Sequence, residues 1–209
     1  MPLQKNIVLI GYSGHAFVAA DIFLSRGLSM AGYCDNEEKN YNPFSLKYIG
    51  KDQDTAVLKL LKEYDYFIAI GDNTIRRKIF EHLSASLGMP VNAIHTSSVI
   101  SSSSIIGNGV FIAANSTINP LVKIGNGVIC NTSCSIDHEC VIENFAHIAP
   151  GAVLCGNVRI GEGSFIGANS VIRQGINIGK NVMIGAGAVI VKDVADNSII
   201  IGNPQKNLK

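Results

Sequence analysis

Between Ile94 and Ile190 an apolar residue returns at every sixth position without a slip, and the seventeen positions hold fifteen Ile, Leu154 and Cys130. Neither the 3.6-residue period of a helix nor the two-residue alternation of a strand produces that spacing, so the run is read as a repeat architecture. Four residues after each of these positions stands a second small or β-branched residue, as in Val110, Val122, Val128, Ala146, Ala152 and Val158. Side chains alternate along extended backbone, so positions four and six of each hexad face inward and position five faces outward. Gly107, Gly125, Gly161, Gly167, Gly179 and Gly185 directly follow the aliphatic residue, where the chain is expected to turn and a Cβ to be costly. Three hexads then close one triangular coil of a parallel β-helix.

A coil of 18 residues places position n over n+18, so the outward residues form columns. One column, Ile105, Lys123, Val141, Arg159 and Asn177, is mixed enough to face water. Another, Phe111, Ile129, His147, Phe165 and Met183, is a ladder of large apolar groups broken by one histidine. Such a ladder is expected to pack against another subunit, with His147 at the interface. His138 lies nine residues earlier, half a coil, so the two rings project from opposite sides of the prism. A cyclic, head-to-side assembly brings them together, and for a three-sided prism the simplest closed form is a homotrimer. Locally, His147 reads equally well as a histidine filling an interface and His138 as a polar corner residue. The segment from Asn131 to Glu139 is the most polar in the middle of the repeat, which favours function for His138.

Before residue 90 the hexad spacing is absent and strands alternate with helices, which divides the chain into residues 1–90 and 91–209. Strands are expected from Asn6 to Ile10, Met30 to Cys34 and Tyr66 to Ile70, and helices from Ala16 to Ser25, Thr55 to Glu63 and Ile75 to Leu87. That is a small Rossmann-like α/β domain whose strand ends gather Gly11, Ser13, Gly14, His15, Asp35, Asn36, Gly71 and Asp72 on one edge, where open α/β sheets bind ligands. The glycine turn Gly11-Tyr-Ser-Gly-His15 lacks a third glycine, which disfavours a dinucleotide. Backbone N–H groups at a helix N-terminus still favour a phosphate, and Asp35 stands where a carboxylate can take a ribose hydroxyl or a base N–H.

A net charge of +1 gives no electrostatic case for nucleic acid or an anionic membrane. The longest N-terminal apolar run, Ile7 to Ile10, is too short for a signal peptide or a membrane span. Five cysteines in no CxxC pairing point to a reduced, cytoplasmic setting. Cys130, Cys134 and Cys140 fall on inward positions, and Cys34 and Cys155 stay open. A zinc-dependent β-helix hydratase needs three converging histidines, whereas His95, His138 and His147 fall on separated coils, so no metal is expected. A purely structural β-helix would carry a flat threonine array and no ligand-binding domain.

The GYSGH turn, FIAIGDN at 67–73, IDHEC at 136–140, CGNV at 155–158 and IGNP at 201–204 occur in that order. With these motifs the chain resembles the bacterial sugar O- and N-acetyltransferases of the left-handed β-helix superfamily, and within them the UDP-N-acetylbacillosamine N-acetyltransferases. The resemblance implies a left-handed parallel β-helix, a trimer, acetyl-CoA between adjacent β-helices and a nucleotide sugar on the N-terminal domain. It implies His138 as general base, Glu139 or Asp137 as its orienting carboxylate, and Asn131 near the acceptor. His147 and Gly156 are implied at the acetyl thioester, and Ala168, Gly185 and Ala186 along the pantetheine. Gly11, Ser13, Gly14, His15, Asp35, Asn36, Gly71 and Asp72 are implied at the uridine diphosphate part. Asn36, Ala186 and Gln205 depart from the family pattern, which expects an acidic residue, a glycine or other small residue, and alanine. The reaction expected is direct transfer in a ternary complex, with an acyl-Cys155 route as rival and sialic acid or a GDP-4-amino sugar as alternative acceptors.

Overall fold

The structure, a computed structural model, describes residues 6–208. Its N-terminal part is a four-stranded parallel sheet in the order β3-β2-β1-β4, made of β1 (Ile7–Ile10), β2 (Met30–Cys34), β3 (Tyr48–Gly50) and β4 (Asp65–Ile68). Helices α1 (Gly14–Ser25), α2 (Thr55–Leu61) and α3 (Asn73–Leu87) join these strands and lead out of the sheet. β1 is buried along its whole length, as its unbroken apolar run Ile-Val-Leu-Ile requires of a central parallel strand. The edge strand β3 was not expected from the sequence, because Tyr-Ile-Gly is too short to show a period.

From Ala93 to Ile190 the chain winds through two-residue strands in three parallel faces. Strands pair at a spacing of 18, as in Ile129 with His147 and Ser135 with Val153. The inward residues make one continuous core in which Cys130, Cys134, Cys140, Ile148, Leu154, Ile160 and Ile166 are fully buried. The hexad count thus holds through Ile190; beyond it one coil shortens to 16 residues, pairing Met183 with Ile199.

The corner glycines have a different cause from the one expected. From Ile106 to Ile184 the left-handed backbone falls on the third residue after the hexad position, as at Gly109, Asn115, Gly127, Ser133, Glu139 and Asn157. The glycine directly after the aliphatic instead permits close stacking of coils: a Cβ on Gly161 would stand 2.5 Å from the carbonyl carbon of Gly179.

The apolar ladder is also covered differently. Phe111 and Ile129 are sealed not by a second subunit but by the chain's own α/β domain, packing with Ile7, Leu9, Ala16 and Phe67. A sheet face that needs cover is met by the helix α1 that needs the same, so the two apolar surfaces satisfy each other within one chain. Arg76 of α3 locks this junction and is 1% exposed. All of its guanidinium nitrogens donate: Nε to Gly127 O, Nη1 to Ile70 O and Gly71 O, and Nη2 to Asn73 Oδ1 and Phe145 O. Among the described residues no helix is long and apolar enough to cross a membrane.

Candidate active site

The three faces, named here by Phe111, Thr117 and Lys123, meet at corners, and the expected site residues divide between two of them. His138, Glu139 and Gly156 lie on the Thr117/Lys123 corner. Asn131, Ala168, Gly185 and Ala186 stack along the Phe111/Thr117 corner, beside His147 on the Phe111 face. The Phe111 face is opposite the His138 corner, so one chain keeps the two groups of expected site residues apart.

His138 is exposed, and its Nδ1 lies 3.0 Å from Glu139 Oε2. Glu139 holds the left-handed corner position, φ 62°, which turns its carboxylate back onto the preceding ring. Asp137 is occupied elsewhere: its Oδ1 accepts from the His138 backbone N–H at 2.8 Å and from Asn119 Nδ2 at 2.9 Å. Those two donors hold its carboxyl below the usual value. Glu139, not Asp137, is therefore the carboxylate on the imidazole. One coil on, Gly156 lies against the ring, and a Cβ there would stand 2.5 Å from His138 Cε1. With Nδ1–H donated to Glu139, the ring's lone pair is on Nε2, at an open corner suited to accept a proton. Cys155 is half-buried beside Gly156, and its carbonyl accepts from Cys140 Sγ at 3.2 Å.

The second group lies under the α/β domain. His147 is 9% exposed, its Nε2 is 3.3 Å from Asn131 Nδ2, and Phe165 packs edge-on at 4.9 Å. Burial first, then the charges of Arg76 and His15, lower its pKa to about 3. The His15 ring packs tilted against Phe111 at 4.5 Å, and its pKa is lowered to about 4 by burial and by Arg76. Both rings are thus neutral near pH 7. Among the described residues His15 Nε2 is buried without a hydrogen-bond partner, an unmet polar group at this junction. His147 with Nδ1–H accepts from Asn131 through Nε2, which fixes both side chains.

The sheet edge expected to gather eight ligand residues separates into two clefts. Gly11, Ser13, Asp35 and Asn36 line one of about 230 Å³, together with Tyr12 and the buried Asp52. Ser13 caps α1 without a side-chain hydrogen bond, and Gly14 opens the helix beside it. Asp35 Oδ2 accepts from the Tyr12 N–H at 2.9 Å, while Oδ1 accepts from the Asn36 N–H at 2.7 Å and pairs with Lys39 Nζ at 3.1 Å. One acceptor position remains for a ligand on Oδ2. The second cleft, about 360 Å³, runs between Gly71, Asp72 and Asn73 of the α/β domain and Phe165 and Met183 of the Phe111 face. Here Asp72 acts as the N-cap of α3, accepting from the Ile75 N–H at 2.8 Å. His15 belongs to neither cleft; α1 turns it toward the β-helix instead.

Arg76, Asn73 and Lys39 were not singled out from the sequence. Arg76 stands in the run Arg-Arg-Lys, which reads as a solvated helix face, and nothing local marks which of the three is buried. Asn73 Nδ2 reaches Gly163 O at 2.9 Å, a contact across 90 residues. Among the described residues no group of three or more His, Cys, Asp or Glu side chains is placed to hold a metal ion.

An open α/β domain seated on a triangular hexapeptide β-helix, with a His–carboxylate pair exposed on one corner, is the build of a β-helix acyltransferase. Residues 6–83 match the PglD N-terminal domain family, residues 139–174 the bacterial transferase hexapeptide family (six repeats), and residues 157–192 the hexapeptide repeat of succinyl-transferase. The acetyltransferase domain of PglB from Neisseria gonorrhoeae FA1090, solved with acetyl coenzyme A, is 35% identical with a TM-score of 0.92, covering 99% of this chain and 100% of that one. PerB from Caulobacter crescentus, solved with CoA and GDP-perosamine, is 33% identical with a TM-score of 0.91, covering 99% of each chain. UDP-N-acetylbacillosamine N-acetyltransferase of Bacillus subtilis (strain 168) is 28% identical over 113 residues, 53% of this chain and 52% of that protein. The chain spans about half the length of the curated relatives it matches. The chain belongs to the sugar acetyltransferase family that joins a PglD-type N-terminal domain to hexapeptide repeats.

Proposed function

We propose that this protein transfers the acetyl group of acetyl-CoA to the 4-amino group of a UDP-linked 4-amino-4,6-dideoxy-N-acetyl sugar, a precursor of bacillosamine-type glycans. The observation that carries the reading is the His138–Glu139 pair at 3.0 Å on an exposed corner, with Gly156 against the ring. The neutral amine attacks the thioester carbonyl, and His138 Nε2 takes the proton the nitrogen must lose as the tetrahedral intermediate forms. Glu139 fixes the tautomer and stabilises the imidazolium. The Gly156 backbone N–H stabilises the oxyanion, and His147, held in register by Asn131, lies at the acetyl thioester. The intermediate collapses by expelling the CoA thiolate, which recovers the proton from His138.

The two half-sites complete each other across copies: the His138 corner of one subunit faces the His147 and Ala168 corner of its neighbour in a homotrimer. Acetyl-CoA lies between them, along Ala168, Gly185 and Ala186. The cleft of Gly11, Ser13, Asp35 and Asn36, beside Gly14, holds the nucleotide diphosphate, and Gly71 and Asp72 border the sugar. All five cysteines are free, as a cytoplasmic protein requires. A GDP-4-amino sugar is the second acceptor reading, favoured by the likeness to PerB solved with GDP-perosamine.

The test is CoA-thiol release across UDP-4-amino-4,6-dideoxy sugars, GDP-perosamine and free sialic acid, with wild type and His138→Ala. Turnover of a UDP amino sugar that is lost in His138→Ala supports the reading; turnover of GDP-perosamine alone moves the acceptor to the second reading. Activity restricted to sialic acid, or retained by His138→Ala, overturns it.

A further inference from the structure

One coil below the His138–Glu139 pair, toward the N-terminal end of the β-helix, the same corner carries Pro120 and Leu121. The pairing of Thr117 with Ser135 and of Lys123 with Val141 sets Pro120 under His138 and Leu121 under Glu139. The Glu139 N–H donates to Pro120 O at 3.0 Å, so the two corners stack without a slip. Leu121 has φ 63°, a left-handed backbone that is unfavourable for a bulky side chain and that glycine or asparagine takes most readily. Among the described residues of the β-helix, the left-handed corners hold Gly, Asn or Ser apart from Leu121, Glu139 and Phe145. Phe145 is buried, edge-on to Phe80 at 5.3 Å, and Glu139 holds the His138 ring. Leu121 gains neither kind of contact: it is 57% exposed, beside an exposed Pro120. Its turn is nonetheless fixed from the coil below, where Ser103 Oγ accepts from the Leu121 N–H at 3.2 Å.

We infer that Leu121 seats the C6 methyl group of the acceptor sugar and sets a preference for 6-deoxy sugars over those with a 6-hydroxyl. The inference rests on the acetyl-transfer reading above and deepens it. Gly156, which has no side chain, and the coils of Ala168, Gly185 and Ala186 leave the C-terminal side of His138 to the thioester. The acceptor then meets the imidazole from the N-terminal side, where Pro120 and Leu121 stand. In a 4-amino-4,6-dideoxy pyranose the C6 methyl lies about 3 Å from the reacting nitrogen, by ordinary bond lengths. One coil is about 4.8 Å, so a methyl group beside an amine bonded to His138 Nε2 is within reach of Leu121.

The chemistry of the corner selects which neighbour of C4 turns that way. Pro120 has no N–H, the Leu121 N–H is taken by Ser103, and Asn119 Nδ2 donates to Asp137 Oδ1 at 2.9 Å. A sugar hydroxyl placed there would lose water and find no donor in return, whereas a methyl group loses nothing and covers the exposed leucine. The C5 side of the ring, with its methyl, therefore faces Leu121, and the C3 side, with its hydroxyl, faces away. Leu121 is a specificity residue and takes no part in proton transfer.

The experiment compares kcat and KM for a UDP-4-amino-4,6-dideoxy-N-acetyl sugar and its 6-hydroxy counterpart, or for the corresponding GDP pair if that nucleotide is the one turned over. Wild type, Leu121→Asn and Leu121→Met are measured, each with a thermal melt and a sedimentation mass. Asparagine suits the left-handed corner, so Leu121→Asn should melt at or above the wild-type temperature with an unchanged mass. Wild type is expected to prefer the 6-deoxy sugar by about tenfold or more in kcat/KM, and Leu121→Asn to cut that preference to within about threefold. The change should fall on KM for the 6-deoxy sugar with kcat retained, and Leu121→Met should keep the wild-type preference. No preference in wild type, or one that survives in Leu121→Asn, overturns the inference and leaves the transferase reading standing. An equal loss on both sugars, with or without a changed mass, also overturns it and makes Leu121 a contact between copies. A wild type that turns over no amino sugar of either nucleotide removes the transferase reading and the inference together.

Discussion

Gly156→Ala tests the corner geometry because it adds one methyl group and keeps the backbone N–H. Gly156 has no left-handed φ, so alanine fits its backbone without strain and slightly restricts the unfolded chain. The added Cβ would meet His138 Cε1 at 2.5 Å and Nε2 at 2.6 Å. Carbon contacts settle near 3.5–4.0 Å, so the ring must withdraw by about 1 Å. His138 is an exposed side chain at the coil's edge and withdraws cheaply, but doing so opens its 3.0 Å contact with Glu139. Thermal stability should therefore stay within ~1 kcal/mol of wild type. Displacing a catalytic base by about 1 Å costs roughly 100-fold in rate. The assay is kcat from CoA-thiol release beside a thermal melt. A kcat within threefold of wild type refutes the reasoning, and so does a collapse of the melting temperature, which would make Gly156 a packing residue.

Arg76→Met leaves Gly127 O and Phe145 O without their donor at a buried junction, and unfolding in denaturant should show a loss of roughly 2–6 kcal/mol; a loss below ~1 kcal/mol would mean that water replaces the guanidinium. Stability should fall as pH drops below 6.5, because the unfolded histidines bind protons that folded His15 and His147 refuse until about pH 4 and pH 3. The slope is up to ~1.4 kcal/mol per pH unit for each ring, and His147→Asn should make it shallower; a flat profile from pH 6.5 to 5 would contradict the buried neutral pair. Cys155→Ala should leave acetyl transfer largely intact, since among the described residues no base is paired with its thiol, and a loss of several orders of magnitude would restore the acyl-cysteine route. Asp35→Asn should raise KM for the nucleotide sugar while leaving KM for acetyl-CoA unchanged, measured by steady-state kinetics with each substrate varied.

The repeat was legible because each hexad reports its own geometry. Counting from Ile94 puts Cys130, Cys134 and Cys140 inside and His147 outside, and every one of those placements follows from alternation about a rigid coil. The half-coil separation of His138 and His147 is legible for the same reason. Less of the α/β domain was readable: β3 is three residues long, and the edge thought to gather one ligand site splits because His15 and Gly71 turn toward the β-helix while Asp35 does not. The cover of Phe111 and Ile129 was misassigned because an outward column shows that it needs a partner without showing which surface supplies it.

The sequence alone determined the β-helix, its core and the columns its corners carry, since a local period acts the same way at every coil. Tertiary structure decided what no period encodes: that α1 closes over Phe111 and Ile129, that Arg76 among three adjacent cations is the buried one, and that Gln205 reaches back to the Lys192 turn. These contacts join residues tens of positions apart, and their energies depend on which groups meet after the coils and the sheet have formed. Alternation along a strand sets which way a side chain points; only the packing of one surface on another sets what it touches.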